Sequence, residues 1–83
     1  MGQKSSLQPI SFDEANSCLF INSAGVLFRV FCPFQVVCRI AYPPYRVGDR
    51  LVVTRIGANP DQTILFQIDR EYRPHHFFTL YLR

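Results

Sequence analysis

The chain has 83 residues, 48% of them hydrophobic, with eight Phe and four Tyr, and nine basic against six acidic side chains give a net charge of +3. That length makes one domain, 1–83, with a limited core, and the aromatic content excludes the low-hydrophobicity, high-charge regime of disordered chains. The apolar stretch Leu19 to Phe28 is too short to cross a bilayer and is broken by Asn22 and Gly25, and residues 1–6 lack the apolar centre of a signal peptide, so a cytoplasmic protein is expected.

Residues 1–10 are expected to be a flexible N-terminus. Ser11 and Glu14 stand at capping-box spacing, and Phe12, Ala15 and Leu19 fall near a helical period. One or two helical turns are therefore expected from Ser11 to Ser17, packed on a sheet because so short a helix is not stable alone. Two runs rich in aromatic and β-branched residues, Cys18 to Ile21 and Val26 to Cys32, flank Asn22-Ser23-Ala24-Gly25 and read as a β-hairpin over 18–32. In the second run Val26, Phe28, Val30 and Cys32 share one face, and Leu27, Arg29 and Phe31 the other. Leu27 and Phe31 are thus candidates for self-association with a second copy.

Pro33 cannot donate to a ladder and marks a corner or an edge. Phe34 to Ile40 is expected as a strand with Phe34, Val36, Cys38 and Ile40 facing the core. A loop from Ala41 to Asp49 follows, stiffened by Pro43 and Pro44 and ending at Gly48, which admits a positive φ. Arg50 to Ile56 is expected as one strand with Leu51 and Val53 inward. Gly57 to Gln62 is a turn by composition, and in the strand Thr63 to Ile68, Ile64, Phe66 and Ile68 alternate with Thr63, Leu65 and Gln67. Asp69 to Tyr72 is a tight polar connection into a very short strand at Tyr72-Arg73. Pro74 to Phe77 suits a single 3₁₀ turn begun by proline. Thr79 to Arg83 closes the chain as a strand. The fold class is mainly β, arranged as a small barrel or sandwich.

From Val36 onward the chain presents, in order, a valine-rich strand, a Tyr/Pro loop, Val47-Gly48-Asp49, a second strand, a hairpin that includes Ile64 to Asp69, and Tyr72-Arg73-Pro74-His75-His76-Phe77. This order resembles the small SH3-like barrels found in many bacterial proteins, over roughly residues 34–82. The resemblance implies an SH3-like barrel at 34–83, with the hairpin 18–32 and any N-terminal helical turn as additions. It also implies a groove for peptides, lined by Tyr42 and Tyr45 of the long loop and by Pro74 and Phe77 of the 3₁₀ turn. The chain departs from the family pattern in having no Trp. Its long loop carries Arg46, with Asp49 as its sole acid.

Cys18, Cys32 and Cys38 are odd in number, sit in apolar runs and form no Cys-x-x-Cys pair, so they read as buried small hydrophobes. His75 and His76 are adjacent, diverge in direction and lack a carboxylate or cysteine at ligand spacing. No metal, cofactor or catalytic group is expected: no nucleophile elbow, phosphate loop or paired carboxylates appear in motif context. Five arginines against one acid make residues 29–55 net +4. Arg39, Arg46, Arg50 and Arg55, near Tyr42 and Tyr45, form a candidate basic surface for single-stranded nucleic acid. The leading expectation is a non-catalytic module that binds a protein or peptide through Tyr42, Tyr45, Pro74 and Phe77. Nucleic-acid binding through the arginines and self-association through Leu27 and Phe31 are the alternatives.

Overall fold

A computed structural model describes residues 7–13 and 17–81. It is mainly β, with nine strands and one 3₁₀ turn among these residues: β1 (Gln8–Asp13), β2 (Ser17–Ile21), β3 (Leu27–Phe31), β4 (Phe34–Cys38), β5 (Arg50–Val53), β6 (Arg55–Ala58), β7 (Ile64–Ile68), β8 (Glu71–Pro74), the 3₁₀ turn His75–Phe77, and β9 (Phe78–Leu80). They form three antiparallel three-stranded sheets, ordered β1-β2-β3, β5-β4-β9 and β6-β7-β8. Among the described residues the ladders do not join into a ring, so the closed barrel implied by the resemblance is not what forms.

The first sheet begins with a correction. Ser11, Phe12 and Asp13 are extended in β1, where Ser11 pairs with Leu19 and Phe12 with Cys18. The helical turn expected at Ser11 to Ser17 is absent from residues 11–13 and 17, while Glu14, its capping partner, lies outside the described residues. Without β1, β2 would present an open row of backbone donors and acceptors. A ladder satisfies that row, whereas a helix of one or two turns has only its own marginal hydrogen bonds. Residues 8–10 belong to the same strand and are not a flexible extension; residues 1–6 lie outside the described residues. Register slips between Pro9 and Ser11, as suits an edge strand that carries a proline.

The turn between β2 and β3 is built by Asn22. Its Oδ1 accepts from the backbone of Ala24 (2.9 Å) and Val26 (3.0 Å), and its carbonyl accepts from Gly25 N (3.0 Å). Gly25 takes φ +84°, which glycine adopts without steric cost. In-register pairing then places Phe28 and Val30 against the core. Val26, expected to share their face, precedes the strand and is exposed.

All three sheets supply one core. Phe20 of β2 meets Phe34 of β4 edge to face at 6.1 Å, and Phe34 meets Phe66 of β7 in the same geometry at 5.4 Å. Cys18, Val36, Val53, Ile56, Ile64, Ile68, Phe78 and Leu80 complete the buried cluster. Its aromatic rings add edge-to-face contact to the area they remove from water.

Two strand boundaries differ from the sequence reading for reasons that place the site. Arg50 to Ile56 is not one strand: Thr54 N donates to Gln67 O (3.0 Å), and the chain passes there from the β5-β4-β9 sheet to the β6-β7-β8 sheet. That corner resets the alternation, so Val53 and Ile56, of opposite parity, are both buried. Ile40, expected inward, is 41% exposed. β4 stops at Cys38, and the backbone N–H groups of Arg39 and Ile40 both turn to Phe77 O (2.7 and 3.3 Å).

Candidate binding face

The loop between β4 and β5 closes at its base by Cys38 N to Asp49 O (2.9 Å) and Gly48 N to Cys38 O (2.8 Å). Gly48 sits at φ +97°, as its place in the sequence anticipates. Asp49 also accepts the Arg46 N–H on its side chain (2.9 Å). Within the loop, Tyr42 and Tyr45 pair as an isolated bridge, with Tyr42 N to Tyr45 O at 3.2 Å and Tyr45 N to Tyr42 O at 2.6 Å. Pro43 and Pro44 span the bridge, joined by a cis peptide bond.

This pairing sets the two tyrosine rings edge to face, 5.1 Å apart. The Arg39 and Ile40 bonds to Phe77 O draw the start of the loop onto the 3₁₀ turn. Tyr42 accordingly meets Phe77 at 5.5 Å and Phe78 at 6.0 Å. Three half-buried rings, Tyr42, Tyr45 and Phe77, thus converge from two segments more than thirty residues apart. Pro74 is half-buried at the start of the 3₁₀ turn (φ −57°, ψ 143°) and sets its direction; the rings that touch are the other three.

A polar rim surrounds these rings. The Arg73 guanidinium lies over the Tyr42 ring at 4.8 Å and pairs with Glu71 at 2.8 Å. The Tyr45 hydroxyl donates to the Asp69 carboxylate at the tip of the β7–β8 hairpin. That bond favours the neutral phenol, and the Tyr45 pKa is pushed up to about 12. Burial raises the Tyr42 phenol as well, partly opposed by Arg73. Asp69 and Arg73 were not singled out from the sequence. A two-residue hairpin loop at Asp69-Arg70 would have placed Asp69 at a tip, but nothing local says which loop that tip meets.

Compared with known proteins, the chain matches no family model, no curated protein and no solved structure. Its reading rests on its own geometry.

The remaining candidates fall elsewhere. Arg39, Arg46, Arg50 and Arg55 are all exposed. Among the described residues none of them stacks on Tyr42 or Tyr45: Arg50 lies over Tyr81 at 4.8 Å and donates to its hydroxyl at 3.0 Å. Leu27 and Phe31, 53% and 59% exposed, stand on the outer face of β3, an edge strand of its sheet. Between them Arg29 reaches back to Ser17 Oγ (3.0 Å). Cys18 and Cys38 are buried and Cys32 half-buried, all three as free thiols. Among the described residues no group of three or more His, Cys, Asp or Glu is placed to hold a metal ion, and no helix is long and apolar enough to cross a membrane.

Proposed function

We propose that the chain is a non-catalytic binding module that holds an extended peptide or protein segment across Tyr42, Tyr45 and Phe77, with Pro74 fixing the turn that presents Phe77. The observation that carries this reading is the convergence of three rings from two backbone-tied segments. Tyrosine offers a flat apolar face and a hydroxyl at low entropic cost. A proline-stiffened loop also loses little freedom on association. We further read residues 34–80 as an SH3-like arrangement. In its support, a long loop joins β4 to β5, a corner leads into β6, hairpins follow through β8, and a 3₁₀ turn returns β9 beside β4.

The test is selection of peptides from a random display library on the immobilised chain. The expected result is an enriched consensus whose capture falls about tenfold or more with Tyr45→Ala, as for truncated tyrosine anchors, while the fold is retained. A library that yields no consensus, or a consensus indifferent to Tyr45→Ala, would reject the reading.

A second reading rests on a separate observation, the exposure of Leu27 and Phe31 on an edge strand. Two copies of β3 paired antiparallel about Arg29 would set Leu27 of each opposite Phe31 of the other. Sedimentation decides it: a wild-type dimer that Phe31→Glu converts to a monomer supports the contact, and a wild-type monomer at all concentrations removes it.

A further inference from the structure

The 3₁₀ turn has two sides. Phe77 meets Tyr42, while His75 and His76 line a cavity of about 70 Å³ together with Arg39. Phe66, Phe78 and Leu80, all buried in the core, also line it. A water needs roughly 10–15 Å³ of such space, so the cavity has room for about five water-sized groups. That suits a carboxylate with a short aliphatic tail, and only so small a part of any larger molecule would fit inside.

Among the described residues, those lining it whose side chains can carry charge are all basic: Arg39, His75 and His76. Among the described residues no Asp or Glu lines it, and the one ion pair is Arg73 with Glu71, elsewhere on the surface. Arg39 therefore stands at the cavity with no ion-pair partner among the described residues, while its backbone N–H is fixed on Phe77 O at 2.7 Å. His75 is half-buried, 6.5 Å from Phe66 and 6.2 Å from His76, ring to ring. A planar guanidinium fork matches a carboxylate bidentately, and the apolar side chains beneath would take the tail.

We propose that this cavity binds a short aliphatic carboxylate through Arg39 and the two histidines, either as a free acid or as the C-terminal carboxylate of a peptide ending in a small residue. The cavity adjoins the Tyr42/Tyr45/Phe77 face but is lined by none of those three residues, and neither proposal depends on the other.

The experiment is an NMR titration of the full chain with isobutyrate, with isobutyramide as the uncharged isostere, and with a short peptide ending in alanine as the acid and as the amide. The expected result is a saturable shift of the His75 and His76 ring signals with isobutyrate, in the millimolar range or tighter, at least tenfold weaker in Arg39→Gln and absent with isobutyramide. A peptide acid that binds at least tenfold tighter than isobutyrate, while its amide does not bind, assigns the site to chain termini; equal or weaker binding assigns it to free acids. Arg39 is exposed, so Arg39→Gln leaves the core intact, and His76→Gln is a second variant expected to weaken binding. No saturable shift with either acid, the same shift with isobutyramide, or unchanged binding in both variants would overturn the proposal.

Discussion

The hydroxyl of Tyr45 donates to the carboxylate of Asp69, tying the proline-bearing loop to the tip of the β7–β8 hairpin. The bond has a pH consequence. The folded-state pKa of Tyr45, about 12, lies above the ordinary phenol value of 10.0, and that of Tyr42 is raised as well. The stability this contributes is fully present below about pH 10 and is lost as pH rises through the folded value, because the unfolded phenol ionises first. Unfolding curves from pH 9 to 12 are expected to show this alkaline loss, and Tyr45→Phe is expected to flatten it. An alkaline profile unchanged by Tyr45→Phe would count against the bond.

The same hairpin tip carries a local strain. Asp69 (φ 52°) and Arg70 (φ 75°) both sit in the left-handed region, as a two-residue primed turn requires. Aspartate tolerates that region better than arginine does. Arg70→Gly is expected to raise stability by about 0.5–1 kcal/mol, the relief of strain being partly offset by the greater freedom of unfolded glycine. Denaturant midpoints measure it; a loss of stability would mean that the Arg70 side chain makes a contact worth more than the strain.

The first sheet belongs to the core. Phe20 is 1% exposed and packs against Phe34 and Phe66. Phe20→Ala is expected to cost about 3–5 kcal/mol, a large share of what a domain this size has. Circular dichroism is expected to show general loss of structure, including residues 34–80. A variant that kept those strands folded would show the first sheet to be an accessory.

Thiol reactivity reports the same packing. Burial pushes the Cys18 thiol up to about 12 and raises Cys32 and Cys38 too, with Cys32 the most accessible of the three. At neutral pH Ellman's reagent is expected to titrate Cys32 slowly and to reach Cys18 and Cys38 only on unfolding. Rapid reaction of all three in the folded chain would place the cysteines outside the core.

Much of this was legible in the residues. The Asn22–Gly25 turn, the shared face of Phe28, Val30 and Cys32 (with Val26 the exception), the alternations Phe34/Val36/Cys38 and Ile64/Phe66/Ile68, and the 3₁₀ turn before β9 follow from local turn chemistry and a period of two. What was hidden is non-local. β1 forms because β2 has an edge to fill, against a local capping signal. Thr54 breaks a continuous apolar run because two sheets meet there, and Ile40 turns outward because Phe77 O claims its backbone. The meeting of Tyr42 and Tyr45 with Phe77 was anticipated only through family resemblance. Asp69 and Arg73 reach the tyrosines by strand register that no single segment encodes.

The most direct test of the central claim is chemical-shift mapping of the chain with a library-selected peptide, together with intermolecular contacts from the peptide to the aromatic rings. If Tyr42, Tyr45 and Phe77 form the binding face, the largest shifts and the contacts fall on those rings and on Arg73 beside them. A tightly bound peptide whose contacts lie instead on β3 or on the Arg50–Tyr81 side would contradict the assignment.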